Sequence, residues 1–526
     1  MKVCILTAGI GSRMGDISQS LNKSILPTNR GAIISEIFSS FKKDTKFVVA
    51  VGYKKKQVKD YIALAHPDMR KNISYVDVDN YNKKYSGPGY SLFKCKKNLM
   101  EPFYAISCDT LLPNNFKANT NKKQNILFGK KVDKDISKNY CNFEINNKTI
   151  SKIYEKKRYR NNNFRSFSGL IYIYDYQIFW KDMKSVINIK KTPQISDGLT
   201  ELLKNNKLLF SNINWIDVGK FKDYQNYINK KSGYDFSKKN EAIYIINKRV
   251  IKFFADAKIV NQRYKKSKLI KNVFPILKKR NNFYYYKFEK GSTLYEVKNQ
   301  PLIFKKFLIW AEKNIWLKKK KDKDFYQNCN KFYKIKTYSR LKSIKKKYNN
   351  IDELKINNKK TESINTILKK IDWQDLSRGL PYFIHGDLQF DNILHTKKEN
   401  FLLLDWRDSF GKYIDKGDIY YDLAKLLGGI LINYKKIKVN KFHFLKKGNN
   451  IKYNIIEKGP NLRANLKILT NFIKIKKLDI NKIYTLTGLI YLNMSPLHHS
   501  PFDKILFGLS KELLIDKNYI KNLCVK

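Results

Sequence analysis

Two short polar segments carry residue types that enzymes use to handle phosphate groups. In AGIGSRM, at 8–14, Gly9 and Gly11 let the backbone approach an anion closely, and Arg13 offers forked donors to phosphate oxygens. In HGDLQFDNIL, at 385–394, two aspartates and an asparagine can serve as a proton acceptor and as magnesium ligands. Because the two segments carry different residues, they predict two sites with different chemistries.

The glycine segment does not match the standard phosphate-binding patterns. It is neither G-x-x-x-x-G-K-[ST] nor a complete G-x-G-x-x-G, and a tight turn without a ligand is an alternative for the glycines alone. Residues further along favour a phosphate site. Lys23 follows in LNKSILP, Asp109 ends the apolar run FYAISCD, and Asp217 lies in WIDVG. Two carboxylates at strand ends predict a Mg²⁺ ion that bridges triphosphate oxygens.

Residues 1–230 resemble the nucleotidyltransferase family that activates sugar phosphates and phosphocholine. AGIGSRM is similar to its AGxGxRM signature, GPGYSL (87–92) to its base-side loop, IYEKK (153–157) to its I-x-E-K segment, and FSGLIYIY (167–174) to a strand beside the acceptor. The nucleotide-binding residues that the resemblance implies are Gly9, Gly11, Ser12, Gly87 and Gly89. The implied acceptor-binding residues are Glu155, Lys156 and Gly169, with plain solvent exposure as the alternative for Lys156.

The resemblance also implies a reaction. A phosphate ester attacks the α-phosphorus of a nucleoside triphosphate, with CTP or UTP favoured, and pyrophosphate leaves. Arg13 and Lys23 would neutralise the triphosphate, while Asp109 and Asp217 would hold Mg²⁺. No covalent enzyme intermediate is needed, so positioning and charge neutralisation carry the catalysis.

The second segment has the register of a protein-kinase catalytic loop, H-R-D-L-x-x-x-N. Asp387 and Asn392 take the aspartate and asparagine positions, and Asp405 follows the apolar run FLLL. HGD in place of HRD, the DW pair after the strand, and GDIYYDLAKLLGG (417–429) resemble the aminoglycoside phosphotransferase and choline kinase family. The resemblance implies that Asp387 accepts the proton of an alcohol while Asn392 and Asp405 hold Mg²⁺ on ATP. Asp418 and Asp422 look structural rather than catalytic.

One part of the kinase pattern is missing. The resemblance implies that Lys252, in RVIKFF, contacts the α- and β-phosphates of ATP. No glutamate occurs between Phe253 and Phe288 to pair with this lysine, and no glycine-rich loop precedes it. Asp256 is an alternative partner, although it lies close to Lys252 in sequence. A kinase-shaped binding domain without activity is therefore an alternative to an active kinase.

The elements that must position these residues differ between the two halves. In the first half, apolar runs such as MKVCILTAG and KFVVAVGY (46–53) alternate with AIISEIFSSF, whose apolar residues have helical spacing. This alternation predicts an α/β fold with a doubly wound, Rossmann-like sheet and ligands at the carboxyl ends of its strands. In the second half, EAIYIINKRVIKFF predicts a hairpin that belongs to an α+β, protein-kinase-like domain.

The length of the chain and one polar stretch determine the predicted domain boundaries. A chain of 526 residues is expected to form two or three domains, and the polar stretch KKSGYDFSKKNE predicts a linker. We predict a nucleotidyltransferase domain at 1–230, a linker at 231–241 and a kinase-like domain at 242–526. The Lys-rich segment 316–360 is predicted to be a solvated helical insertion.

The formal net charge of +61 raises nucleic-acid binding as an alternative. The lysines are spread along the chain, however, without a basic arm, a zinc-finger spacing or an RNP-type strand, so no specific nucleic-acid partner is predicted. The six cysteines form no C-x-x-C pair, the start lacks a signal-peptide layout, and no apolar run approaches the length of a membrane span. These features predict a cytoplasmic protein without membrane insertion.

Together the two halves predict a bifunctional activating enzyme with Mg²⁺ as cofactor. ATP would phosphorylate a small alcohol, and an NTP would then activate the phosphate ester as a precursor of a surface polysaccharide or lipid head group. A choline-like alcohol is favoured because both families have choline-pathway members, and a sugar is the alternative. The sequence leaves open the base, the alcohol, the passage of intermediates and the oligomeric state.

Overall fold

The computed structural model describes residues 1–119, 123–159, 162–187, 189–228, 240–348, 350–516 and 518–525. The chain forms two compact units. The first comprises Met1–Lys231, Ser237–Ala257 and Arg280–Tyr285, and the second includes Lys258–Lys279 and Tyr286–Lys526. The predicted linker at 231–241 lies almost wholly outside the described residues.

A mixed sheet of nine strands organises the described part of the first unit. Its strands are β1 (Lys2–Leu6), β2 (Lys46–Val51), β3 (Ile73–Asp77), β4 (Phe103–Ser107), β5 (Asn125–Lys130), β6 (Cys141–Asn146), β7 (Thr149–Glu155), β8 (Phe164–Ile173) and β9 (Leu208–Asn212). Their spatial order is β3-β2-β1-β4-β8-β5-β9-β7-β6. Strands β1 to β4 are parallel, whereas β8 runs antiparallel to β4. The predicted α/β fold is confirmed, and a second half that the sequence did not indicate extends the sheet. In this half β5 and β9 are parallel, whereas the other neighbouring strands are antiparallel.

The strand β1 is buried on both faces of the sheet. Val3 and Ile5 of β1 belong to one apolar cluster, and Cys4 and Leu6 belong to another. Successive side chains of a strand point to opposite faces, so β1 is covered on both sides and needs its continuous apolar sequence. The α-helices of this unit are Ile17–Ser20, Ile33–Ser39, Lys55–Ala65, Pro88–Lys94, Lys134–Ser137, Tyr176–Val186, Thr200–Lys204 and Phe221–Ile228.

The predicted hairpin forms, but it packs within the first unit. Its strands Glu241–Ile246 and Arg249–Phe254 pair antiparallel around Asn247 and Lys248, which both have positive φ. The Tyr244 hydroxyl donates a hydrogen bond to the Ile25 carbonyl at 2.7 Å. The compact units therefore divide the chain differently from the sequence, which assigns this hairpin to the second domain.

The second unit has the α+β composition that the sequence predicts. One antiparallel sheet contains Gly291–Thr293, Ile393–Thr396 and Phe401–Leu403, and another sheet contains Lys355–Ile356, His443–Lys447 and Asn450–Asn454. The α-helices that lie in it are Gln300–Asn314, Phe325–Asn330, Lys336–Lys347, Ile364–Lys369, Trp373–Ser377, Ile419–Leu431, Tyr434–Lys438, Pro460–Ile475, Ile480–Met494, Phe502–Ile515 and Tyr519–Val525, and Ala257–Ser267 leads into it. Within the described ranges, no helix combines the length and apolar character needed to cross a membrane.

The Lys-rich segment 316–360 is helical in part and is not fully solvated. It contains Phe325–Asn330, a π-helical turn at Lys331–Ile335 and the helix Lys336–Lys347. Phe332 and Ile344 are buried. The prediction of a solvated insertion is wrong for this apolar face, because lysines on one side of a helix do not prevent the other side from packing.

Candidate active sites

The loop after β1 places Lys23 inside the first unit. Gly11, at φ +73°, begins a single 3₁₀ turn, Ser12–Met14. The buried Asn22 amide then donates hydrogen bonds to the carbonyls of Thr7 at 3.2 Å and Tyr53 at 2.7 Å. These bonds fix the following turn against the carboxyl end of β1, so that Lys23 is only 7% exposed.

A pair of two-residue strands brings the predicted metal ligands together. Thr110–Leu111 pairs antiparallel with Ile216–Asp217, and the Val218 N–H donates to the Asp109 carbonyl at 3.0 Å. A Cβ added to Gly219 would lie 2.7 Å from Asp217 Oδ1 and 3.0 Å from Asp109 Oδ2. Both carboxylates therefore border the same small space, as a shared cation requires, and glycine leaves that space open.

The two carboxylates differ in their electrostatic environment. Burial raises the pKa of Asp109, but the Lys23 ammonium, 2.6 Å from Oδ2, and the Arg13 guanidinium, 3.7 Å away, together hold that pKa below its usual value. Burial and the charge of Asp109 raise the pKa of Asp217. The Tyr140 hydroxyl and the Gly219 N–H oppose this rise by donating hydrogen bonds to Asp217 at 2.8 and 2.6 Å.

This donor set fits Mg²⁺. The ion prefers hard oxygen ligands and usually binds one or two protein carboxylates, with water and substrate phosphates as its other ligands. Asp109 and Asp217 supply such a pair. In the described ranges, no group of three or more His, Cys, Asp or Glu is placed to hold a metal ion.

The carboxylates line a cavity of about 180 Å³ that also contains the predicted acceptor-binding residues, Glu155, Lys156 and Gly169. Gly169 has φ +89°, and an added Cβ would lie 2.7 Å from Thr110 Oγ1, so β8 approaches the strand pair closely at this point. The Glu155 carboxylate accepts a hydrogen bond from Ser196. Three separate sequence motifs thus meet at one cavity.

The predicted nucleotide-binding residues lie in two different environments. Gly9 and Ser12 are exposed, and a Cβ added to Gly9 would meet no atom within 4 Å. Gly87 and Gly89 instead pack against another chain segment, because an added Cβ would lie 2.5 Å from the Pro193 or Gln194 carbonyl respectively. Close packing is enough to explain why glycine occupies both positions, with no ligand involved. Pro88, which lies between them, lines the cavity.

In the second unit, the helix Ile419–Leu431 holds the HGDLQFDNIL segment. Asp422 accepts hydrogen bonds from the N–H groups of His385 at 2.8 Å and Gly386 at 2.7 Å. Burial lowers the pKa of His385 to about 3, so its imidazole is neutral. Since a carbonyl only accepts, His385 Nε2 donates to Leu404 O, which leaves Nδ1 to accept from the Asp387 N–H. These bonds fix the backbone that carries Asp387.

The Asp387 carboxylate is charged and partly exposed. Its Oδ1 lies 2.8 Å from Lys425 Nζ, and its side chain is 36% exposed. Burial raises its pKa, but the Lys425 ammonium outweighs burial and holds the pKa below its usual value. The Asn392 amide donates to the Asp387 carbonyl at 2.8 Å, which ties the two predicted catalytic-loop residues together.

Two other predicted residues have unexpected surroundings. Asp405 has φ +57°, and its Oδ1 lies 3.1 Å from Arg263 on the helix Ala257–Ser267. This helix therefore brings an arginine to the predicted metal ligand. Lys252 is 3% exposed and lies on the strand Arg249–Phe254, which belongs to the first unit.

Sequence reasoning missed several residues of both sites. Tyr140 has no motif or spacing that links it to Asp217. Gly219 ends the quoted WIDVG stretch, and a glycine two residues after a predicted metal ligand is a usable signal. Lys425 was also detectable, because it is the only charged residue in the apolar stretch LAKLLGGILI.

Comparisons with known proteins concern the N-terminal part of the chain. No family model matches. The chain is 24% identical over 230 residues to the "Bifunctional protein GlmU" of Methanococcus aeolicus, which covers 42% of this chain and 52% of that protein. It thus spans about half the length of this curated relative.

Two solved structures are also similar. An apo UDP-glucose pyrophosphorylase shares 16% identity, with 44% of this chain and 97% of that chain covered and a TM-score of 0.38. The CTP:phosphocholine cytidylyltransferase LicC of Streptococcus pneumoniae shares 18% identity, with 43% and 96% covered and a TM-score of 0.34.

Proposed function

We propose that the first unit transfers a nucleotidyl group from an NTP to a phosphate ester. One observation carries this proposal: Arg13 and the paired carboxylates line the same cavity as the predicted acceptor-binding residues, and Lys23 is ion-paired with one of those carboxylates. The AGIGSRM signature, whose Arg13 lines that cavity, supports the same reaction.

In this reaction an oxygen of the phosphate ester attacks the α-phosphorus, and the bond to the α–β bridging oxygen breaks as pyrophosphate leaves. Asp109 and Asp217 would hold Mg²⁺, which neutralises phosphate oxygens when bound. Lys23 is paired with Asp109, so it lies where a phosphate oxygen can compete for its ammonium group. Arg13, with a side chain 57% exposed, is free to turn toward the triphosphate. CTP or UTP is the proposed donor.

Asp109→Asn and Asp217→Asn test this proposal. Each change keeps the side-chain size and removes a charged magnesium ligand, so we expect pyrophosphate release to fall at least about 100-fold, or about 2.7 kcal/mol. The protein is incubated with each NTP and a panel of phospho-alcohols and sugar phosphates. The control Asp68→Asn, at an exposed position of the same unit, should keep its activity. Near-normal release by both test variants would refute the assignment.

For the second unit, we propose ATP-dependent phosphorylation of a small alcohol. The partly exposed, charged Asp387 carboxylate, fixed beside Asn392, supports this function. The alcohol oxygen attacks the γ-phosphorus, its proton passes to Asp387, and the bond to the β–γ bridging oxygen breaks as ADP leaves. Asn392 and Asp405 would hold Mg²⁺. ADP formation with a panel of alcohols tests the activity.

The two proposed reactions form a sequence. The phosphate ester that the second unit makes belongs to the class of acceptor that the first unit uses. The proposed overall function is therefore activation of a small alcohol or sugar as a nucleoside diphosphate derivative, which could supply a polysaccharide or a lipid head group.

A further inference from the structure

Several cationic side chains lie near the Asp387 carboxylate. Lys425 contacts its Oδ1 at 2.8 Å. Arg407 adjoins the preceding residue, since a Cβ added to Gly386 would lie 2.7 Å from Arg407 Cβ. Arg407 and Lys336 both lie over the Phe332 ring, at 5.0 and 4.2 Å from its centroid. The shared ring brings Lys336 beside Arg407.

Arg340 extends this cationic cluster along a helix. It follows Lys336 by four residues on Lys336–Lys347, so the two side chains lie on the same helix face. All four cationic residues of the cluster are partly buried: Lys336, Arg340, Arg407 and Lys425. They therefore have restricted access to water but can still reach a bound molecule.

The Lys336 ammonium lies among other cations. Burial lowers the pKa of Lys336 to about 6, and the neighbouring cations Arg407, Lys425 and Arg340 lower it as well. Among the described groups that act most strongly on Lys336, Asp387 is the one carboxylate. Burial and the Arg407 charge also lower the pKa of Arg340. A bound anion would offset the charge of the neighbouring cations and favour the charged form of Lys336.

We propose that the alcohol phosphorylated by the second unit carries an anionic group, a carboxylate or a phosphate, which Lys336, Arg340 and Arg407 bind. This inference rests on the proposed role of Asp387, because the reacting hydroxyl must lie against that carboxylate. When the hydroxyl of the alcohol lies against Asp387, the other groups of that alcohol lie close to the cations beside Asp387. A choline-like cation, which the sequence favours, would be repelled by them.

Matched alcohols that differ in charge test the acceptor class. The full chain with ATP and Mg²⁺ is assayed for ADP formation with gluconate against sorbitol, glycerate against glycerol, and choline. We expect kcat/KM for each acid to exceed that for its neutral partner at least about tenfold, with choline the poorest substrate. A preference for the neutral or cationic alcohols would overturn the proposal.

A double variant, Lys336→Ala with Arg340→Ala, connects this preference to the cluster. We expect its KM for the acids to rise at least about tenfold, while KM for the neutral alcohols stays within about twofold. The matched control, Lys334→Ala with Lys342→Ala, removes two exposed lysines of the same segment and should keep the preference. If the double variant instead raises KM for ATP equally with every acceptor, the cations bind ATP and the proposal is wrong.

A binding measurement separates this proposal from kinase activity. Calorimetric titration of gluconate into the Asp387→Asn protein without ATP needs no turnover. We expect gluconate to bind saturably. Adding the Lys336→Ala and Arg340→Ala changes should weaken this binding at least about tenfold, whereas adding the control changes should leave it unaltered. If no alcohol is phosphorylated but this result holds, the kinase proposal fails and the anion site stands. If neither pair of changes alters binding, the anion site is refuted.

Discussion

Asp217 and Asp109 border the same space but hold their protons with different strength. Lys23 and Arg13 keep Asp109 ionised, whereas burial and the charge of Asp109 raise the pKa of Asp217. A carboxylate must lose its proton to bind Mg²⁺, so of the two proposed ligands Asp217 is the one whose protonation would limit Mg²⁺ binding at low pH. The Tyr140 hydroxyl opposes the raised pKa by donating to Oδ2 at 2.8 Å.

Tyr140→Phe should move the acid limb of pyrophosphate release to higher pH. The lost hydrogen bond raises the pKa of Asp217 further, and an activity that needs the carboxylate is present above this pKa and lost as pH falls through it. The profile of kcat/KM against pH measures the shift. The control Tyr227→Phe removes a hydroxyl that donates to Glu36 at 2.8 Å and does not contact Asp217. The acid limb of this variant should therefore stay at the wild-type pH. Superimposable profiles for wild type and Tyr140→Phe would show that Asp217 titration does not limit activity.

Among the elements, the turn after β1 depends on one buried amide. Asn22 donates to the Thr7 and Tyr53 carbonyls and accepts from the Ser24 N–H. These bonds place Lys23 against Asp109, so a structural residue sets the geometry of a residue proposed for catalysis.

Asn22→Ala should lower the free energy of unfolding by about 1–3 kcal/mol, because it leaves buried backbone groups without partners. Pyrophosphate release should also fall as Lys23 loses its fixed position. Urea unfolding measures the first effect. Asn205→Ala, at an exposed position, should stay within about 0.5 kcal/mol of wild type. Equal stability of Asn22→Ala and wild type would refute this role.

Local sequence patterns predicted the elements that depend on local physics. The runs containing β1, β2 and β4 are largely apolar because these strands are covered on both faces, and Asp109 and Asp217 lie close to strand ends as expected. The hairpin turn at Asn247 and Lys248 was likewise readable from its sequence. The role of Gly87 and Gly89 could not be predicted in this way. A side chain at either position would clash with the Pro193–Gln194 backbone, which is distant in sequence. Tertiary packing also decided which unit the hairpin joined.

At the scale of the whole molecule, each compact unit carries its own acidic residues. Asp109 and Asp217 belong to the first unit, and Asp387 and Asp405 belong to the second. The two proposed activities therefore depend on separate sets of residues. The charge of +61 suits anionic substrates such as nucleotides and phosphate esters, which gain from a positive field at both sites.

The most direct test of the account follows both activities in two variants of the full chain. Asp387→Asn should abolish ADP formation with the alcohols yet leave pyrophosphate release from an NTP and a supplied phosphate ester intact. Asp109→Asn should show the reverse pattern. Loss of both activities in each variant would contradict the proposal of two separate sites. So would a wild-type chain that formed ADP with no alcohol and released no pyrophosphate with any phosphate ester.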